Sequence, residues 1–89
     1  MKSETTDRFR KLLERLPEEI RQQARTAYKL FKQDPYHPQL HFKRVHQSQP
    51  IYSVRATYRY RAVGRLEGEV IVWFWIGSHD DYDKLIRQL

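Results

Sequence analysis

The sequence predicts an α+β domain in which an N-terminal helical hairpin packs on one face of a mainly antiparallel sheet of three to four strands. Three observations predict it. Apolar residues recur at helical spacing over the first third of the chain. In the second half they alternate with polar residues, the period of a half-buried strand. The chain then builds to Val70–Ile76, seven apolar residues in a row, rich in β-branched and aromatic side chains. Such a run suits a strand buried on both faces and is too short for an independent buried helix. With 89 residues, positions 1–89 make one domain with a modest core.

Met1–Thr6 is polar, so any strand there is weak. Thr6 or Asp7 can cap a first helix, because their side-chain oxygens accept from free backbone amides. Phe9, Leu12, Leu13 and Leu16 give that helix its apolar stripe. Pro17 breaks it and starts a second, with Glu18 and Glu19 at the positive end of the dipole. The second helix carries Ile20, Ala24, Ala27, Tyr28 and Phe31 on one face and ends before Asp34–Pro35. Neither stripe is wide enough to stand alone, so both helices need a sheet to cover.

Asp34–Pro38 is a loop, Leu40–Val45 a candidate strand, and Gln47–Pro50 a turn. From Ile51 the alternation is clear: Tyr52, Val54 and Ala56 face one way, Ser53, Arg55 and Thr57 the other. A further strand over Tyr60–Leu66 sets Tyr60, Ala62 and Leu66 against Arg61, Val63 and Arg65. Glu67–Gly68 turns that strand into the apolar one as a hairpin. Asp80–Leu89 reads as either a short helix or a tail. The expected central strand is therefore Val70–Ile76, which ends at Gly77 and delivers His79, Asp80, Asp81, Tyr82 and Asp83 to its tip.

Charge is segregated. The net charge is +6, and no acidic residue occurs between Asp34 and Glu67. Lys43, Arg44, Arg55, Arg59, Arg61 and Arg65 lie in that window and account for the whole excess. A positive field of this kind attracts phosphates or an acidic partner; otherwise it is a solvated face that aids solubility. The absence of cysteine excludes a disulfide framework and a thiolate metal site, and suits the cytoplasm. No run approaches the roughly 20 apolar residues of a membrane-spanning helix. His37, His41 and His46 lack metal-ligand spacing, and there is no glycine-rich phosphate loop, so no metal and no cofactor is expected.

Several segments carry a resemblance. Thr6-Asp7-Arg8-Phe9 followed by Leu16-Pro17-Glu18-Glu19-Ile20 gives an opening of helix, "LP" break and second helix. Tyr52-Ser53-Val54-Arg55 and Tyr60-Arg61-Ala62-Val63 give paired strands. Trp75-Ile76-Gly77-Ser78-His79, running on to Tyr82, gives a "W-I-G-x-H-x-x-Y" ending. In this order, over nearly the whole chain, they resemble the RelE/ParE family of bacterial toxins from type II toxin–antitoxin systems. The resemblance implies a cognate antitoxin as partner, with higher assembly supplied through it. It also implies one of two activities on one fold, or an inactive homologue that only binds an antitoxin. RelE-like members cut messenger RNA on the ribosome, whereas ParE-like members poison DNA gyrase without hydrolysis.

Metal-free RNA cleavage needs a 2′-hydroxyl deprotonated, a leaving oxygen protonated and phosphate charge stabilised. Arginine suits the last task, because its planar fork holds two oxygens. Arg55 and Arg61 lie at positions that resemble the family's strand arginines, with solvated strand residues as the alternative. Lys43 and Arg44 lie where basic residues of the family often touch RNA, and Arg59 and Arg65 are peripheral to them. His79 is the acid–base candidate, since histidine titrates near neutral pH, and Tyr82 could donate a proton or stack on a base. The intervening Asp80 and Asp81 separate that pair. Those aspartates and Asp83 also repel phosphate, so the alternative is a capping loop with Tyr82 packed on the core.

Overall fold

A computed structural model describes residues 1–89. The order of elements is β1 (Lys2–Thr5), α1 (Asp7–Glu14), α2 (Glu18–Gln33), a 3-10 turn (Pro38–Leu40), β2 (Lys43–Arg44), β3 (Ile51–Thr57), β4 (Tyr60–Glu67), β5 (Val70–Ser78) and α3 (His79–Gln88). The five strands form one sheet in the order β1-β5-β4-β3-β2. All pairings are antiparallel except β1 with β5, which is parallel. The α+β class is as expected, with one strand more than the upper expected number. The extra strand is β1, whose sequence Lys-Ser-Glu-Thr is polar. It joins the sheet through backbone pairing, Ser3 opposite Ile71 and Thr5 opposite Trp73. One side chain secures it further: Ser3 Oγ accepts from the Trp73 indole at 3.0 Å and donates to Tyr28 Oη at 3.0 Å.

Thr6 caps α1, its hydroxyl accepting from the Phe9 amide at 3.1 Å. Pro17 stands at the N-cap of α2, and Glu18 and Glu19 occupy its first turn. Both helices lie on the face that carries Val54, Ala56, Ala62, Ile71, Trp73 and Ile76, and Phe9, Ala24 and Phe31 pack toward it from the helices. Aromatic edges and faces lock this core: Phe31 meets Trp73 at 5.3 Å and Phe42 at 5.1 Å, and Phe42 stacks on Tyr52 at 5.0 Å.

The Leu40–Val45 segment is a strand only over Lys43–Arg44. Leu40 belongs to the 3-10 turn, and His41 has φ of 50°, a left-handed conformation that breaks extended backbone. The C-terminal segment is a helix, capped by Ser78 through the Asp81 amide at 3.2 Å. Helix α3 gives the opposite face of the sheet its cover: Tyr82 and Leu85 pack on Ile51, Val63 and Trp75. The turn after β2 is tied to its end, because His46 Nδ1 accepts from the Ser48 and Gln49 amides while Nε2 bonds to the Leu89 carbonyl at 2.9 Å.

Strand β5 serves both cores because its phase shifts midway. Gly64 pairs with Trp73 and the preceding Val63 with Trp75, which leaves Phe74 as an extra residue, a β-bulge. Ile71 and Trp73 therefore point to α1 and α2, whereas Trp75 points to α3 and Ile76 returns to the first side. An unbroken apolar run is what such a strand requires.

Candidate anion site on the sheet

The α3 side of the sheet carries Arg55 and Arg61, directly opposite each other on β3 and β4. Alternation puts them there, since Val54 and Ala62 beside them face the helical hairpin. A bulge at Ala56 ends the regular pairing just past Arg55. Next along the row, Arg61 pairs with Gly77 of β5. A β-carbon at Gly77 would lie 2.6 Å from the Trp75 ring, so the indole occupies the room that a side chain would take.

Two like charges face to face across strands repel. No carboxylate forms an ion pair with either: the ion pairs of the molecule are Arg10–Asp7 and His79–Asp83. Arg61 is half-buried, and its Nη1 is fully buried without a hydrogen-bond partner. Burial and the neighbouring Arg55 charge lower the Arg61 pKa, while Tyr82 and Asp83 partly offset them. Arg55 is braced on two sides. His41 Nε2 lies 3.5 Å from its Nη1, and the guanidinium sits 5.2 Å from the centroid of the Tyr58 ring.

These arginines open into a groove that Tyr58, Arg59, Tyr60, Ser78, His79 and Asp80 complete. Arg59 is exposed at the β3–β4 turn, and its carbonyl accepts from the His79 amide at 2.8 Å, which fixes the start of α3 to that turn. The His79 side chain is half-exposed, with Nδ1 3.5 Å from Asp83 Oδ2. Tyr82 lies 6.0 Å from the His79 ring but is partly buried against the second core. Asp83 thus faces His79 one helical turn on, the spacing at which side chains meet.

The other basic residues divide. Lys43 pairs with Ser53, so it shares the face of Arg55, one strand out and two residues along. Arg44 is turned away, its guanidinium donating to the carbonyls of His46, Gln47 and Gln49. Arg65 donates to the Gln49 side chain. Both therefore brace the Gln47–Pro50 turn, at the end of β3 remote from Arg55. The structure brings together Arg55, Arg59, Arg61 and His79, places Tyr82 behind them, and adds His41 and Tyr58. Neither of those two is marked by periodicity or spacing, because a left-handed loop residue and a hairpin turn place them. No group of three or more His, Asp or Glu residues is arranged to hold a metal ion.

Residues 18–84 match the ParE-like toxin domain, most of the chain. The chain belongs to that family. As a ParE-like toxin domain it also shares its fold with solved toxins. The RelB–RelE antitoxin–toxin complex of Methanococcus jannaschii superposes with a TM-score of 0.74 at 16% identity, over 92% of this chain and 96% of that one. The RelBE2 toxin–antitoxin complex of Mycobacterium tuberculosis gives 0.68 at 20% identity, over 86% and 95%. A YoeB/ParE toxin of Agrobacterium tumefaciens gives 0.68 at 18% identity, over 89% and 99%. No curated protein matches the sequence. In this ParE-like toxin domain no helix is long and apolar enough to cross a membrane.

Proposed function

We propose that the chain is the toxin of a type II toxin–antitoxin pair and acts as a ribosome-dependent endoribonuclease on messenger RNA, held inactive by a cognate antitoxin. One observation carries this reading: Arg61, with a buried and unpartnered Nη1, stands opposite Arg55 with no carboxylate paired to either. Such a pair is unfavourable until an anion arrives, and a phosphate supplies oxygens to both forks. In the reaction a 2′-hydroxyl loses its proton and attacks the adjacent phosphorus. The bond to the 5′-oxygen breaks, and that oxygen takes up a proton. Arg61 and Arg55 hold the phosphate oxygens through the charge build-up. His79 moves protons, with Asp83 orienting Nδ1 and leaving Nε2 for the substrate. Tyr82 packs beside this pair and stacks or donates from the rim. Lys43 and Arg59 extend the positive surface along the RNA, and Arg44 and Arg65 contribute to the wider field.

The match to a ParE-like domain favours a second reading, a gyrase poison in which the same surface meets protein or DNA without catalysis. Induction without antitoxin separates the two. Codon-phased cuts in translated messages, mapped by primer extension, support the nuclease. Intact messages together with DNA damage and filamentation replace it with the gyrase reading. The antitoxin partner is supported by the complexes in which relatives of this fold occur.

A further inference from the structure

We infer that Tyr58 is a stacking platform for one nucleobase of single-stranded RNA, beside the phosphate held by Arg55 and Arg61. The inference rests on the nucleic-acid reading of that site and adds a residue to it. Tyr58 is 77% exposed, an unusual position for a large aromatic side chain. It sits at the β3–β4 turn on the lip of the arginine-lined groove. One side of the ring faces the Arg55 guanidinium, 5.2 Å from the centroid, and the ring's high exposure leaves the rest open to solvent.

That arrangement does two things. The cation–π contact holds the ring and adds to the contact that His41 makes with Arg55. The open ring surface then offers a flat apolar partner within one residue's reach of a phosphate site. Single strands are recognised by this pairing of backbone cations with aromatic faces, and every base has a π-face to offer. The core aromatics differ, because Phe31 packs on Trp73 and Tyr52 on Phe42. Tyr36, also exposed, leans on Phe42 over the hairpin core and lines no part of the groove.

The test uses a short oligoribonucleotide carrying 2-aminopurine, whose fluorescence falls when the base stacks, and the same oligonucleotide abasic at that position. Stacking predicts that the chain quenches the probe and binds it about tenfold or more tighter than the abasic strand. Tyr58→Ala removes the quench and that preference, and Tyr58→Phe restores both. Should Tyr58→Ala weaken probe and abasic strand alike, Tyr58 only positions Arg55 and the stacking role is overturned. Should the quench survive Tyr58→Ala, another residue holds the base, which overturns it equally. If neither strand binds even to the parent chain, the nucleic-acid reading of the arginine site falls as well.

Discussion

Arg55 and Arg61 point from paired strands toward the same face, and the structure places no carboxylate in ion-pair contact with either. Function and stability should therefore pull in opposite directions at this pair. Arg61→Gln is expected to leave thermal stability unchanged or raise it by about 0.5 kcal/mol, because a cross-strand repulsion disappears. The same variant should lose translational arrest. Thermal melts and a reporter of protein synthesis check the two halves; a parent-like arrest would remove Arg61 from the site.

An anion that bridges the pair binds the native state and not the unfolded chain, so it must stabilise. Pyrophosphate should raise the melting temperature of the parent protein in a concentration-dependent way. Arg61→Gln and Arg55→Gln should each abolish most of that increase. Parallel melts in sodium chloride of matched ionic strength separate the specific effect from screening.

The lowered Arg61 pKa also fixes a sign. A cation whose folded pKa is depressed costs stability at every pH below that pKa, and the cost fades only as pH rises through it. For an arginine this window is strongly alkaline. Between pH 6 and 9 the Arg61→Gln stability curve should therefore run parallel to that of the parent. Denaturant titrations across the range check it, and a divergence would assign the difference to another group.

Two glycines are fixed by indoles. A β-carbon at Gly64 would fall 2.7 Å from Trp73 and 3.0 Å from the Val72 carbonyl, and one at Gly77 would fall 2.6 Å from Trp75. Trp73 and Trp75 are buried, so neither ring can swing away freely. Gly64→Ala and Gly77→Ala should each cost about 1–3 kcal/mol through overpacking. Gly77→Ala should in addition disturb the arginine groove, read as a weaker pyrophosphate effect. Chemical denaturation and near-ultraviolet circular dichroism measure both.

Ser3 links the polar first strand to the core. Ser3→Ala strands the buried Trp73 indole N–H and should cost about 1–2 kcal/mol, with faster hydrogen exchange at Lys2–Thr5. Exchange mass spectrometry would show it.

Much of the fold was legible because it follows from period. Helix α2, strands β3 and β4 and the facing of Arg55 and Arg61 can be read from alternation and spacing alone. Strand β1 could not, since its four polar residues are held by backbone pairing and one serine. The sidedness of β5 was also hidden, because seven apolar residues in succession carry no phase. The basic window covers the strands that carry the Arg55–Arg61 pair, but it overcounts the free cations. Arg44 and Arg65 are occupied by the turn between β2 and β3, a contact that composition does not encode.

The extra residue at Phe74 works as a half-step in the strand's two-residue rhythm. Before it the odd-numbered residues Ile71 and Trp73 face the helical hairpin; after it Trp75 and Gly77 face the arginines instead. Deleting that single position would carry Gly77, Ser78 and the start of α3 across the sheet. The groove would lose its histidine without a single groove residue being altered.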